Sequence, residues 1–120
     1  MIYVVDDDAS ICKAMTRLMK SAGLSVQTFA SAEAFLSSAQ PTESDCLLVD
    51  IQMPGMSGLE LQRQLAHLGY HVPVIFITAF DDDQVRKQAR QIGAAGYFRK
   101  PFDDQALLDA IKFAGTRTDD

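Results

Sequence analysis

The sequence has no tryptophan, only two cysteines and two histidines, and fewer basic than acidic residues. Two lone cysteines without metal-type spacing are typical of core thiols, so we expect Cys12 and Cys46 to be free in a reducing compartment. Sixteen acidic residues against eleven lysines and arginines give a net charge of −5. A protein with this negative net charge is not expected to bind the phosphate backbone of a nucleic acid by electrostatic attraction, so we expect no direct contact with nucleic acid.

Long apolar runs are missing as well. No stretch reaches membrane-spanning length, and Met1 leads directly into a predicted strand without a signal peptide, so we expect a cytoplasmic protein with no membrane contact. What the chain does contain is 48% hydrophobic and 22% charged residues, the composition of a folded globular protein. Its 120 residues are enough for one domain that folds without a metal or a disulfide.

Apolar periodicity alternates between strand and helix five times along the chain. Strands are predicted over 2–5, 24–29, 46–49, 74–77 and 94–99. Each strand is followed by a helical pattern, and units of this kind produce a parallel sheet covered by helices on both faces. The sequence therefore predicts an α/β fold.

The predicted helices have recognisable ends. The first carries Ile11, Met15, Leu18 and Met19 and stops at Gly23, and the second is capped by Ser31 and ends near Pro41. The third opens with a capping box of Ser57 and Glu60, buries a stripe of Leu61, Leu65 and Leu68, and ends at Gly69. The fourth begins with the acidic run 81–83, and the last begins at Asp103 or Asp104 and turns Leu107, Leu108 and Ile111 inward.

Polar side chains follow four of the predicted strands. Asp6 and Asp7 follow the first strand, Asp50 the third, Thr78 the fourth and Lys100 the fifth. Parallel strands point their carboxyl ends toward one edge of the sheet, where open α/β folds bind ligands. Carboxylates crowded at that edge need a cation or a proton, and oxygen ligands without histidine favour Mg²⁺ over zinc. The pattern therefore predicts a metal site.

The same residues suit phosphoryl chemistry. Asp50 can act as a nucleophile toward a phosphoryl group if a metal and a second cation neutralise the transferred charge. Lys100 can provide that cation, and the Thr78 hydroxyl can donate a hydrogen bond to a phosphoryl oxygen. Together with Asp6 and Asp7, these residues predict a phosphorylation site.

Taken singly, several of these residues have simpler interpretations. Asp8 and the run 81–83 are each typical of a helix N-terminus, Thr78 of a strand interior and Lys100 of a surface charge. However, Lys100 precedes Pro101, and an X-Pro bond can be cis in a tight turn, a geometry that could aim the ammonium inward.

The other aromatic and imidazole side chains near these motifs are less informative. Tyr97 and Phe98 are most simply aromatics of the core or of a sheet edge. His67 and His71 flank a helix end, where a histidine can meet the helix dipole or solvent, and we assign them no role.

Four motifs resemble the receiver domain of bacterial two-component response regulators. They are Val4-Val-Asp-Asp-Asp8, Val49-Asp-Ile-Gln-Met-Pro-Gly-Met-Ser-Gly58, Ile77-Thr-Ala79 and Lys100-Pro-Phe102, and the match covers essentially the whole chain. The segments Ser31-Ala-Glu-Ala-Phe-Leu36 and Lys100-Pro-Phe-Asp-Asp-Gln-Ala-Leu-Leu108 further resemble the FixJ-like subgroup, whose members usually join a receiver to a LuxR-type helix-turn-helix.

This resemblance implies a flavodoxin-like three-layer αβα sandwich with a five-stranded parallel sheet in the strand order 2-1-3-4-5. It also implies that a sensor histidine kinase phosphorylates Asp50 and that Mg²⁺, or Mn²⁺ in its place, is the cofactor. Asp7, Asp50 and the backbone carbonyl of Gln52 would bind the metal, and Asp6 would hold a metal-bound water.

The resemblance assigns the switch as well. Thr78 would be the switch hydroxyl, Lys100 the cation that pairs with the phosphate, and Tyr97 the aromatic whose rotamer follows Thr78. The responding surface would be the fourth helix, fifth strand and fifth helix, a possible homodimer or docking face. Its expected contributors are Val85, Ala89, Ile92 and Tyr97.

Residues 1–114 would then form the receiver domain, and 115–120 would begin a linker or C-terminal tail. The domain would be a regulatory domain that accepts a phosphoryl group and not an enzyme. At most it would catalyse its own phosphorylation and dephosphorylation. Its output would be transcription, through a LuxR-type DNA-binding domain absent from this chain. The alternative is a stand-alone receiver that acts by phosphorelay or protein docking.

Two other classes fit the residues less well. A haloacid-dehalogenase-type phosphatase also uses an aspartate nucleophile with Mg²⁺. Its motif, however, is Asp-x-Asp, whereas the residue two positions after Asp50 here is Gln52. A flavodoxin-type cofactor binder needs a neutral loop after the first strand to accept a phosphate, and Asp6 and Asp7 would repel it.

Overall fold

The computed structural model describes residues 1–116, which form five strands and five helices in strict alternation. The elements are β1 (Ile2–Val5), α1 (Ala9–Ser21), β2 (Val26–Phe29), α2 (Ala32–Ser38), β3 (Cys46–Asp50), α3 (Gly58–His67), β4 (Val74–Thr78), α4 (Asp83–Gln91), β5 (Gly96–Arg99) and α5 (Asp104–Thr116). The expected linker or tail at 115–120 lies largely beyond the described residues, and α5 is described as far as Thr116.

All four strand pairings are parallel, and the strand order is β2-β1-β3-β4-β5. The two central strands β3 and β4 are buried along their whole length, as expected for strands covered on both faces. The predicted α/β fold and the order 2-1-3-4-5 are therefore confirmed, and β1 and β3 lie side by side.

Two hydrophobic cores lie on opposite faces of the sheet. Strand β4 shows the division, because Phe76 faces the core formed by α2, α3 and α4, whereas Ile75 and Ile77 face the core formed by α1 and α5. Successive strand residues point to opposite faces, so a run that is apolar throughout can supply both cores. This arrangement is the three-layer sandwich.

The helix N-termini are capped by the side chains that the sequence suggested. Asp8 accepts a hydrogen bond from the Ser10 amide (2.9 Å), Ser31 from Ala34 (3.0 Å) and Ser57 from Glu60 (3.1 Å). Within the acidic run 81–83, Asp82 is the residue that caps α4. Each cap satisfies backbone amides that have no partner within the helix.

Two strands begin later than their apolar residues suggested. The amide of Leu24 donates to the carbonyl of Met19 (2.9 Å), and the amide of Ala94 donates to that of Ala89 (3.1 Å). Both residues follow glycines with positive φ, Gly23 and Gly93, so they complete the ends of helices. As a result β2 starts at Val26 and β5 at Gly96 instead of at residues 24 and 94.

Leu68 is not part of the buried stripe of α3. Its side chain is 54% exposed, because the helix ends at His67 and Leu68 is the C-cap. The chain then turns at Gly69, and the Tyr70 amide returns to the Leu65 carbonyl (2.9 Å). The early turn leaves Leu68 outside the core, while Leu61 and Leu65 lie inside it.

Both cysteines are free thiols. Cys46 is buried in β3, and desolvation raises the pKa of its thiol to about 12. Cys12 is half-buried and its thiol lies 3.4 Å from the backbone oxygen of Asp6, so it is a packing residue beside the carboxyl edge of the sheet.

None of the helices in the described part of the chain combines the length and the apolar character needed to cross a membrane.

Candidate functional site

Three carboxylates meet at the carboxyl edge of the sheet. Asp6 and Asp7 follow β1, Asp50 ends the neighbouring β3, and one oxygen from each lies within 4.8 Å of the others. Asp6 and Asp50 are buried, whereas Asp7 is exposed. The strands β1 and β3 pair up to Val5 and Val49, so the residues that follow, Asp6 and Asp50, lie at the same level of the sheet edge. Parallel pairing therefore explains the cluster.

Lys100 joins this cluster from the end of β5. Its Nζ donates to Asp6 Oδ2 (3.0 Å) and to Asp50 Oδ2 (3.4 Å), and its side chain is only 16% exposed. The Lys100 amide also donates to the Thr78 carbonyl (2.7 Å), and the bond to Pro101 is cis. The ammonium points inward, because it contacts the two buried carboxylates of Asp6 and Asp50.

Burial and charge act in opposite directions on the acidity of these groups. Burial raises the pKa of Asp50, which the nearby Asp6 charge reinforces and the Lys100 ammonium opposes. Burial alone would lower the pKa of Lys100, but the hydrogen bond to Asp6 and the charge of Asp50 raise it instead. Asp50 is therefore a partly desolvated carboxylate that one ammonium holds in place.

The donor set at this edge fits a hard divalent cation. The cluster contains three carboxylates and no histidine or thiolate, which is the ligand chemistry that Mg²⁺ prefers. Both oxygens of Asp6 are engaged, with Lys100 and with the amide of Asp8 (2.9 Å). In the described part of the chain Asp7 has no such partner, so its carboxylate is free to bind a cation.

Gln52 lies at the start of the loop after β3. Its amide donates to Asp50 Oδ1 (3.2 Å). The backbone of Gln52, whose carbonyl is the expected metal ligand, therefore lies next to the Asp50 carboxylate. With Oδ2 near Lys100, both oxygens of Asp50 have a donor. These contacts fix the direction in which the carboxylate points.

Thr78 is fully buried at the end of β4, beside the cluster. Its hydroxyl accepts a hydrogen bond from the Phe80 amide (3.0 Å) and donates to the Phe80 carbonyl (3.3 Å). The hydroxyl is thus bound to its own loop. Phe80 itself is 64% exposed, so any movement of Thr78 would be transmitted to a surface side chain.

Tyr97 points toward a network that sequence reasoning missed. Its hydroxyl donates to Asp81 Oδ1 (3.2 Å), and Arg86 both pairs with Asp81 and lies over the Tyr97 ring, 5.6 Å from its centroid. Burial and the contact with Asp81 raise the pKa of Tyr97. The acidic run and the basic residues of α4 are visible in the sequence, but their pairing with β5 depends on tertiary contact.

Of the four residues expected to contribute to a docking face on α4 and β5, Ala89 is excluded by its burial. Ala89 is only 1% exposed and belongs to the core, and Val85, Ile92 and Tyr97 pack partly buried against the same core. These residues hold α4 onto the sheet, because apolar residues at helical spacing are the ones a helix buries.

The loop after β3 depends on two further residues to which sequence reasoning gave no role. Gly58 opens α3 and its amide donates to the Ile51 carbonyl (2.9 Å), which brings the helix backbone against the end of β3. Glu33 reaches from α2 to the amide of Met56 (3.3 Å). The glycine was visible in the motif, but its close approach to Asp50 was not.

Gly58→Ala is expected to be destabilising and to disturb Asp50. A methyl group at Gly58 would lie 2.5 Å from the Asp50 carbonyl oxygen, so the backbone must shift. Overpacking against backbone atoms costs about 3 kcal/mol, and the helix propensity of alanine returns about 1 kcal/mol of it, so urea unfolding should show a net loss of about 2 kcal/mol.

Gly69→Ala is the matched control for this prediction. Gly69 has φ +87 and open space around its Cα, so alanine there would add only backbone strain of about 1 kcal/mol, far from the carboxylates. If Gly58→Ala proved no more destabilising than Gly69→Ala, close packing at Gly58 would not be what holds the loop.

The chain matches a family model and several known proteins. Residues 2–112 match the model described as "Response regulator receiver domain". "Nodulation protein W" of Bradyrhizobium diazoefficiens is 43% identical over 117 residues, which are 98% of this chain and 52% of that protein. "Transcriptional regulatory protein FixJ" of Azorhizobium caulinodans is 39% identical over 111 residues, covering 92% of this chain and 53% of that protein.

A solved structure, "Crystal structure of FixJ-N", superposes with a TM-score of 0.88 at 35% identity and covers 96% of this chain and 92% of that one. The chain spans about half the length of the two curated relatives described above. The family model covers nearly all of the residues that carry the fold and the carboxylate cluster. The chain therefore belongs to the response regulator receiver domain family.

Proposed function

We propose that this domain is a phosphorylation-dependent switch in which Asp50 accepts a phosphoryl group from a sensor histidine kinase, with Mg²⁺ or Mn²⁺ as cofactor. The observation that carries the proposal is the meeting of Asp6, Asp7 and Asp50 within 4.8 Å, with Lys100 on two of them. A carboxylate nucleophile, carboxylates able to hold a metal ion, and a cation facing the transferred group are the parts that phosphoryl transfer to an aspartate requires.

In this proposal Asp50 attacks the phosphorus atom while the bond to the donor breaks. Desolvation makes its carboxylate more basic, and Lys100 keeps it ionised and aimed. Asp7 and Asp50 would hold the metal with the Gln52 carbonyl, and Asp6 would hold a metal-bound water. The metal, when bound, supplies positive charge against the transferred group.

The phosphoryl group adds about −1.5 to −2 charges at Asp50. Lys100 then pairs with the phosphoryl oxygens, and the Thr78 hydroxyl turns from Phe80 to donate to one of them. Because this turn breaks both hydrogen bonds between the Thr78 hydroxyl and Phe80, it releases the β4–α4 loop, which can then rearrange. Tyr97, hydrogen-bonded to Asp81 in this loop, follows and alters the surface of α4, β5 and α5.

Incubation with acetyl phosphate and Mg²⁺ tests the proposal directly. We expect the intact mass to show a single phosphoryl adduct, which EDTA prevents because the carboxylates cannot approach the donor without the cation. If neither acetyl phosphate nor a histidine kinase produced an adduct, the domain would not be a phosphoryl acceptor.

The proposed output is transcription through a LuxR-type domain outside this chain. Support comes from the relative named as a transcriptional regulatory protein, of which this chain matches about half. A stand-alone receiver that works by phosphorelay or docking is the second candidate. The reading frame downstream of codon 120 distinguishes the two, because only the first requires a helix-turn-helix domain there.

A cytoplasmic location and a homodimer through α4, β5 and α5 also remain predictions. The free thiols of Cys12 and Cys46 suit a reducing compartment. For the dimer, sedimentation velocity with and without a phosphate mimic is the test, and equal sedimentation coefficients would contradict it.

A further inference from the structure

Glu33 reaches from the first turn of α2 to the loop between β3 and α3. Its Oε2 accepts a hydrogen bond from the Met56 amide (3.3 Å), across 23 positions of sequence. The side chains of Met53 and Met56 pack against the core. Among the residues that the structure describes, however, no other hydrogen bond joins residues 53–56 to the rest of the protein. Glu33 is therefore the polar anchor of this segment.

The backbone of Gly55 lies against the same carboxylate. A Cβ at Gly55 would lie 2.6 Å from Glu33 Oε2, and the glycine has φ +76, a conformation that residues with a side chain rarely adopt. Glycine at this position thus permits the turn and also leaves room for the carboxylate. This close approach supports the role of Glu33 independently of the hydrogen bond.

The turn next to this anchor is stiff. Pro54 followed by a glycine of positive φ is the residue pair of a type II turn over residues 53–56. In a closed turn of this type the fourth amide donates to the first carbonyl, whereas here the Met56 amide donates to Glu33. Because proline fixes one dihedral angle of the turn, holding Met56 also constrains Met53.

Met53 is directly connected to the expected metal ligand. Its amide and the Gln52 carbonyl belong to one planar peptide group, so the orientation of Met53 sets the orientation of that carbonyl. On the other side, the Gln52 amide donates to Asp50 Oδ1 (3.2 Å). The Gln52 carbonyl is thus constrained from two directions, by Asp50 before it and by the anchored turn after it.

We propose that Glu33 is a positioning residue for the divalent cation. By holding the Met56 amide, it keeps the Gln52 carbonyl in the place from which that carbonyl would bind the metal. The proposal rests on the proposed function, because it requires the metal site at Asp7, Asp50 and Gln52. Glu33 is not a member of the cluster of three carboxylates, so it acts through the loop and not as a ligand. Groups that orient a metal ligand commonly change metal affinity when they are removed.

A simpler effect of Glu33 has to be separated from positioning. Glu33 is exposed, and any exposed carboxylate attracts a nearby cation weakly through solvent. That attraction depends only on charge. Positioning depends on an acceptor for the Met56 amide, and the side-chain carbonyl of glutamine is also an acceptor. Substitution by glutamine therefore distinguishes the two effects.

The first test is Mn²⁺ binding by the unphosphorylated protein, followed through the electron paramagnetic resonance signal of free Mn²⁺. We expect Glu33→Ala to weaken binding about fivefold, because the Gln52 carbonyl loses its fixed position. Glu33→Gln should stay within about twofold of the wild type, because it keeps the acceptor. The control is Glu43→Ala, which removes the same charge from an exposed residue between α2 and β3 and should also stay within about twofold.

Equal weakening in Glu33→Gln and Glu33→Ala would show that the charge matters and the hydrogen bond does not, and this would overturn the proposal. Weakening in Glu43→Ala as large as in Glu33→Ala would overturn it as well. Because Glu33 is exposed, neither substitution is expected to unfold the protein, and circular dichroism checks this for each variant before binding is compared.

Gly55→Ala tests the same anchor from the side of the loop. The added methyl group would displace the Glu33 carboxylate, so we expect Mn²⁺ binding to weaken about fivefold in the wild type but less than about twofold in Glu33→Ala. Gly69→Ala is the control, because Gly69 also has a positive φ but has open space around it. An equal effect of Gly55→Ala in both backgrounds would assign the loss to strain in the turn and contradict the proposal.

The outcomes separate the role of Glu33 from the proposed switch. If the wild type binds Mn²⁺ and Glu33→Ala binds it equally well, only the role of Glu33 is overturned. If the wild type binds no Mn²⁺, the metal site at Asp7, Asp50 and Gln52 is overturned, and the proposed function fails with it.

Discussion

Asp50→Asn is expected to abolish the phosphoryl adduct while preserving the fold. Asparagine has nearly the same shape, and its amide oxygen can still accept the hydrogen bond that the Gln52 amide donates to Asp50. It cannot act as the nucleophile, so acetyl phosphate with Mg²⁺ should leave the intact mass unchanged. Because burial disfavours the Asp50 charge, the variant should be at least as stable as the wild type in urea.

The control for this result is Asp104→Asn. Asp104 is exposed in the first turn of α5 and is not a member of the cluster of three carboxylates, so its variant should form the adduct at the rate of the wild type. An adduct that survived in Asp50→Asn would assign the acceptor to another residue. Loss of folding in Asp50→Asn would give the carboxylate a structural role instead.

Lys100→Ala is expected to destabilise the metal-free protein by about 3 kcal/mol at neutral pH. Its ammonium contacts the buried carboxylates of Asp6 and Asp50, and removing it leaves their charges without a cation. Mg²⁺ should restore part of the lost stability, because it supplies positive charge at the same place. Urea unfolding with and without Mg²⁺ measures both effects.

The pH dependence of this loss has a definite sign. The pKa of Lys100 is raised in the folded protein, so its contribution is complete below the unfolded pKa and disappears as the pH rises through the folded pKa. In Lys100→Ala the pKa of Asp50 rises further, because the ammonium that lowered it is gone. The free-energy cost of burying the Asp50 charge then disappears as the pH falls through this raised pKa and the carboxylate becomes protonated. The difference between variant and wild type should therefore be largest near neutral pH and smaller at both extremes.

Lys87→Ala serves as the control, since Lys87 is exposed on α4 and has no ion-pair partner among the described residues. Its effect should stay within about 0.5 kcal/mol. We also expect Lys100→Ala to accept phosphate in part but to respond weakly. A loss of stability that is the same at every pH would mean that packing of the lysine stem, and not its charge, stabilises the edge.

The candidate site was largely predictable because its residues directly follow apolar runs. Asp6, Asp50 and Thr78 each come at the end of a strand, and parallel strands bring such positions to one edge whatever the rest of the chain does. The inward direction of Lys100 was suggested by the proline after it. The distances to Asp6 and Asp50, by contrast, required the folded loops.

The less predictable features depend on neighbours that are remote in sequence. Ala89 looked like a surface residue of a docking face, but the sheet beneath α4 buries it. The pairing of Asp81 and Arg86 with Tyr97 joins a loop, a helix and a strand. No local pattern specifies such a contact, because its members meet only after α4 has packed between β4 and β5.

The sequence by itself determined the alternation of strands and helices and the parallel sheet, because the local spacing of hydrophobic residues decides these features. It also determined the acidic edge at Asp50, because this edge is set by the residues at which the apolar runs end. The tertiary structure alone decided which side chains of α4 are buried and that Arg86, Arg90 and Arg99 line one cavity. Burial and charge clustering depend on which surfaces meet, and in a sheet of order 2-1-3-4-5 those surfaces come from distant parts of the chain.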